Sequence, residues 1–243
     1  MLSSIRGQSL SAKSGLCVLV RVAGWLLALT LPMLVWAQSG AMLPVGDVTL
    51  VIGSVQVQRG DQHLSLSRGS QLLVGDSVKT LANGHAHLRF VDGALVSVRP
   101  ASSLKIVEYH FDKSNPSASV VRFQLDQGVV RAISGQAAES AKDKFRLNTP
   151  LAAIGVKGTD FVVESGNGRV NAIVNQGAIV LAPIDGQCRA DGLGPCSSIA
   201  ARELSATLRG MALTYSASMA TPQLLPMAQL KGSDLLAVSV TQI

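Results

Sequence analysis

The residues best equipped for chemistry sit close together in one stretch. Gly155, Val156, Lys157, Gly158, Thr159 and Asp160 bring a cation, a hydroxyl and a carboxylate within four positions. A phosphate loop uses such groups, but it needs Gly-Lys-Ser/Thr in that order between a strand and a helix. Here the lysine precedes the glycine, and no helix follows. The glycines fit another role: Gly155 and Gly158 allow close backbone approach or a positive φ, and Pro150 suits the end of a strand. Asp160 stands beside Phe161, Val162 and Val163, so it needs a partner once buried. Arg89 and Arg131 are the cations that could supply one. Lys157, a long charged side chain between glycines, is expected to point to water.

Two other groupings invite a chemical reading. His85 and His87 are two apart and share a face of any strand, a geometry that could hold a metal, but no third ligand is visible. A solvated polar face explains them. The chain has four histidines and no Gly-x-Ser-x-Gly elbow, which leaves little for a catalytic triad. Asp47, Asp76, Asp92 and Asp160 read as turn carboxylates that bond to backbone. No residue is therefore assigned as catalytic, cofactor-binding or metal-ligating. Cys188 and Cys196 flank a turn-rich segment that contains Gly192, Gly194 and Pro195. A disulfide between them would stabilise by roughly 2–3 kcal/mol and pin a local loop.

The elements that must carry these residues are strands. From Asp47 the hydrophobic period is two, with Val48, Leu50 and Ile52 on one face, then Val55 and Val57. Turn signals at Gly60, Gly69, Gly75 and Gly84 leave no room for ordinary helices. Ala86, Leu88 and Phe90 form one apolar face, and Val96 and Val98 form the face of the return strand. A three-residue connection with Gly93 left-handed keeps those faces matched, with Phe90 opposite Val96 and Leu88 opposite Val98. A loop is expected over 112–117, strands over 120–123 and 129–133, and an excursion from the sheet over 135–144. The segments 169–175 and 178–181 read as a hairpin turned at Gly177. Two strands with a phase change at Gly210 are expected within 204–215, and a closing strand over 235–240.

The first 37 residues stand apart. They carry Arg6, Lys13 and Arg21, no acid, and an apolar run over 22–37 interrupted by Pro32. Val35 and Ala37 suit cleavage after Ala37, so a signal peptide is expected over 1–37. An uncleaved anchor is the competing reading, although spanning a bilayer takes roughly 20 apolar residues. An export signal implies an oxidising compartment, which suits the Cys188–Cys196 pair. The whole chain carries +6; the leader accounts for three of the 21 basic residues, which leaves +3. That is too weak and too scattered to imply nucleic acid.

Three stretches together resemble the FecR-like family. The first runs over 72–80 and contains Gly75 and Asp76. The second contains Arg89, Asp92 and Gly93 and leads to Pro100. The third, over 149–161, contains Thr149, Pro150, Gly155, Gly158, Thr159, Asp160 and Phe161. The third is highly specific, and Lys157 stands where the family commonly has Arg. The resemblance covers roughly 45–182. It implies an all-β, FecR-like β-solenoid or stacked-hairpin domain, taken as 45–185, with a small β-rich C-terminal extension over 186–243 that holds the disulfide loop. In ferric-citrate-type sigma-factor regulators that domain is extracytoplasmic and reads the state of an outer-membrane receptor. It follows a cytoplasmic domain for which the 21 residues before the apolar run are too few. The expectation is an exported, non-enzymatic, periplasmic or secreted module without a cofactor. Its partner would be another envelope protein, such as an outer-membrane receptor or a secreted protein. A structural or adhesive envelope component is the alternative.

Overall fold

A computed structural model describes residues 43–230 and Leu235. The expected leader lies outside the described residues, as does the expected strand over 235–240 apart from Leu235, which is helical. The protein is mostly β-sheet. Its chain passes repeatedly between two facing sheets, which agrees with the strand periodicity.

The front sheet contains β1 (Gly46–Ile52), β4 (Gln71–Leu72), β6 (His85–Phe90) and β7 (Leu95–Val98). It continues through β12 (Asp160–Gly166), β13 (Arg169–Gln176), β16 (Met211–Ser216) and β17 (Gln223–Pro226). The back sheet contains β2 (Val55–Arg59), β3 (Gln62–Ser65), β5 (Ser77–Thr80) and β8 (Ser103–His110). It continues through β10 (Phe145–Asn148), β11 (Ala152–Val156), β14 (Ala178–Pro183) and β15 (Arg202–Ser205). The long strand β9 (Val120–Ile133) belongs to both. Its first half pairs with β8 and, in parallel, with β10. Beyond Gly128 it pairs with β7 and β12. The front order is β4-β1-β6-β7-β9-β12-β13-β16-β17, and the back order is β3-β2-β5-β8-β9-β10-β11-β14-β15. Strands from 186–243 thus add to one end of each sheet.

The core lies between the sheets because alternate residues of each strand face inward. Leu88, Val96, Val130, Phe161 and Leu213 from the front meet Val78, Leu104, Phe123, Leu147 and Ile154 from the back. A row of rings crosses this core. Phe90 stacks on Tyr109 at 4.6 Å, meets Phe123 at 5.3 Å, and the row continues through Phe145 to Phe161, each step 6.3 Å. The excursion over 135–144 is a short helix, α1 (Gln136–Ser140), followed by a 3₁₀ turn.

Three expectations of register are corrected. The β6–β7 connection does have three residues and a left-handed Gly93 (φ 87°). Its pairs, however, are Leu88 with Val96 and Ala86 with Val98. The added turn residue is Val91, which points outward, 54% exposed, while Asp92 turns inward and is anchored there. Segments 169–176 and 178–183 are not a hairpin: Gly177 carries the chain from the front sheet to the back. The front hairpin is β12–β13, turned at Asn167 and Gly168, both with positive φ. In β1 a bulge after Val48 breaks the alternation, so Leu50 and Ile52 face out, 39% and 54% exposed. Of residues 204–215, Leu204 and Ser205 end β15 and 211–215 lie in β16; residues 206–210 form a turn that ends on left-handed Gly210, so Ala206 and Leu208 are not in a strand as expected.

Candidate functional site

The 149–161 stretch runs from the end of β10 through β11 to the start of β12. Thr149 is buried, and its hydroxyl oxygen accepts the Ala152 amide at 2.9 Å, closing the turn that holds Pro150. β11 is buried along its whole length. Gly155 is needed for space: a Cβ there would lie 2.4 Å from Cα of Pro195. Gly158 is needed for conformation, with φ +73° at the corner where the chain passes from back sheet to front. A Cβ on Gly177, at the return corner, would lie 1.8 Å from the Gly158 carbonyl oxygen. The two corners are therefore stacked in contact.

An open groove lies over these corners, lined by Ser134, Glu139, Lys142, Lys157, Thr159, Asp160 and Gln176. A second groove shares Gln176 and adds Arg131, Asn175, Thr207 and Arg209. Much of their polarity is tied up internally. Arg131 donates to both carboxylate oxygens of Asp160, at 2.9 and 2.7 Å, and Asn175 donates to the same carboxylate at 3.2 Å. Arg131 thus supplies the expected partner, and its own pKa is raised, first by the hydrogen bonds to Asp160. Arg89 instead pairs with Asp47 on the exposed face. The Ser134 hydroxyl accepts the Thr159 amide at 3.2 Å. Lys157 is half-exposed and pairs with Glu203 at 2.5 Å.

Two of the carboxylates read as turn residues are buried anchors. Asp92, 5% exposed, accepts the Tyr109 hydroxyl at 2.5 Å, the Ala94 amide at 3.0 Å and the Ala137 amide at 3.1 Å. Burial, then the charge of Asp92, raises the Tyr109 pKa. Asp76, fully buried, accepts two hydrogen bonds from Arg59, each 2.7 Å, and the Leu73 amide at 2.8 Å. The turn reading captured the backbone bonds and missed the long-range partners, because separations such as 45 positions between Asp92 and Ala137 leave no local trace.

His85 and His87 lie on the outer face of β6 with their Nε2 atoms 3.1 Å apart, and His85 Nε2 is 2.8 Å from the Ser97 hydroxyl. They are half-buried rather than freely solvated. Burial first, then His87 and Arg99, pushes the His85 pKa down to about 4, and burial and Arg99 lower that of His87. Among the described residues no group of three or more His, Cys, Asp or Glu is placed to hold a metal.

Cys188 and Cys196 are joined, closing a strap over the outer face of β10 and β11. The strap is tied down by Asn148 to the Ala190 carbonyl at 2.6 Å and by Arg122 to the Asp191 carbonyl at 2.7 Å. Beneath it lies Arg146, 2% exposed, a residue that the sequence did not single out. A second segment covers the outer face of the front sheet: Met227, Leu230 and Leu235 pack on Val129, Val162, Ile173 and Ala212.

Residues 76–180 match the family model described as FecR protein. No curated protein matches the chain. Two crystal structures of a candidate anti-sigma factor from Parabacteroides distasonis ATCC 8503 are similar at 12% and 11% identity. Each alignment covers 62% of this chain and 59% of that one, with a TM-score of 0.43.

Proposed function

We propose, from the premise that residues 76–180 are a FecR-like domain, that the protein is an exported, non-enzymatic binding module of the bacterial envelope that recognises another protein. The observation that carries this reading is the open edge of the back sheet. β3 pairs with β2 alone among the described strands, and all four of its residues are exposed, Leu64 at 42%. Such an edge accepts an extended segment through backbone hydrogen bonds, with side-chain pockets adding specificity. Much of the polarity over the corners, Arg131, Asp160 and Asn175 above all, is engaged within the fold, which fits a scaffold better than a reaction centre. The Cys188–Cys196 bond fits an oxidising compartment.

The test is capture from envelope extract on immobilised protein beginning at Gln38. A defined envelope protein should be retained by the parent and lost with Leu64→Lys, which places a charge on the edge. Retention unaffected by Leu64→Lys would move the contact elsewhere. Self-assembly without any captured protein would favour a structural component. Intact mass of the protein from the envelope fraction should place Gln38 first; a chain beginning at Met1 and sedimenting with membranes would overturn cleavage.

A further inference from the structure

We propose that the Cys188–Cys196 bond is a thiol–disulfide exchange site open to an external dithiol, with Arg146 holding the thiolate that is released. The guanidinium of Arg146 is enclosed beneath the strap. Its Nη1 donates toward Cys196 Sγ at 3.2 Å and Cys188 Sγ at 3.6 Å, and Nη2 donates to the Leu193 carbonyl at 3.0 Å. Nε has no partner. Among the described residues no carboxylate pairs with it. Arg122, itself paired with Glu108 at 3.2 Å, lies nearby, and burial, then Arg122, lowers the Arg146 pKa. The carboxylates on the strap are placed elsewhere: Asp191 pairs with Arg189 at the surface, and exposed Asp185 accepts the Cys188 amide at 2.9 Å.

A disulfide sulfur is a weak, neutral acceptor, so the oxidised form leaves a buried cation without a counter-charge. Cleaving the bond supplies one in place, because a thiolate is strongly favoured beside a guanidinium. Access is asymmetric: Cys188 is buried and Cys196 is partly exposed, which places the attack of an outside thiolate at Cys196. Attack there forms a mixed disulfide and expels Cys188 as a thiolate onto Arg146. The second thiol of the reductant gives its proton to water and attacks the reductant sulfur of the mixed disulfide, expelling Cys196 as a thiolate that takes up a proton from water. The reductant leaves as a disulfide, and two electrons stay on the cysteines. The strap then loses its covalent closure over Gly155, against which Pro195 is packed. The sheets keep their pairings, because the strap lies outside the core.

Titration of the reduced full chain carrying Cys17→Ser, which leaves Cys188 and Cys196 as its two thiols, following thiolate absorbance at 240 nm, decides the matter. At least one thiol should ionise below the ordinary value of about 8.5. Arg146→Gln should return it to that value and require about tenfold more reduced dithiothreitol for half-reduction at pH 7. Amide exchange over 152–156 should quicken on reduction in the parent. If neither Cys188 nor Cys196 titrates below 8.5 in the parent, the proposal is overturned, whether or not Arg146→Gln folds. So does a half-reduction point that Arg146→Gln leaves unchanged.

Discussion

At the scale of single residues, Asp92 is the most heavily used side chain of the second FecR-like stretch. It joins the β6–β7 turn to Tyr109 on the opposite sheet and to the start of α1. Asp92→Ala strips three donors of their acceptor and should cost about 2–4 kcal/mol in denaturant melts. Tyr109→Phe leaves the two amide bonds in place and should cost about 1 kcal/mol. Lys157→Ala breaks only an exposed pair and should stay within about 0.5 kcal/mol of the parent. The histidine pair predicts a pH effect. Its folded pKa values lie below the ordinary 6.5, that of His85 at about 4, so in this window the unfolded chain binds more protons. The pair's contribution to stability is therefore whole above the unfolded value and is lost as pH falls through 6 and 5 toward 4. Melting temperatures across that range should fall less steeply for the His85→Gln, His87→Gln double variant than for the parent. Equal slopes would show that the rings titrate normally.

At the scale of elements, the stacked corners give a ranking. Gly158→Ala meets only the flexible end of Lys142, so its cost is the left-handed backbone, about 1–2 kcal/mol. Gly177→Ala adds a collision with the Gly158 carbonyl and should exceed about 3 kcal/mol. Equal costs would mean that the corners are not in contact. The strands themselves were legible from alternation, as were the turn at Gly93, the short excursion over 135–144 and the strand after Gly210. What alternation cannot encode is which sheet a strand joins. Gly177 reads as a hairpin turn because a left-handed glycine serves equally to reverse a strand or to send it across to the facing layer. The Asn167–Gly168 pair was the readable hairpin signal. Of the site residues, Asp160 with Arg131 and the two cysteines were accessible from charge and spacing. Arg146 was not, because an arginine flanked by Phe145 and Leu147 in a strand normally points to water, and its cover arrives more than 40 residues later.

At the scale of the whole molecule, the two sheets share one core, and the late strands add to the same end of each. A chain stopped at residue 185 would lack β15, β16 and β17, together with the strap and the segment over Val162 and Ile173. It should be less soluble than the full chain and bind a dye specific for exposed apolar surface; a monodisperse, dye-free product would show that 45–185 stands alone. The strand common to both layers has a mechanical consequence. In a sandwich whose layers meet only through side chains, a sliding load is resisted by packing alone. Here β9 is hydrogen-bonded into the back sheet before Gly128 and into the front sheet after it. A tug on one layer passes to the other along covalent backbone, as through a stitch, and the layers cannot shear apart until one of the two ladders tears.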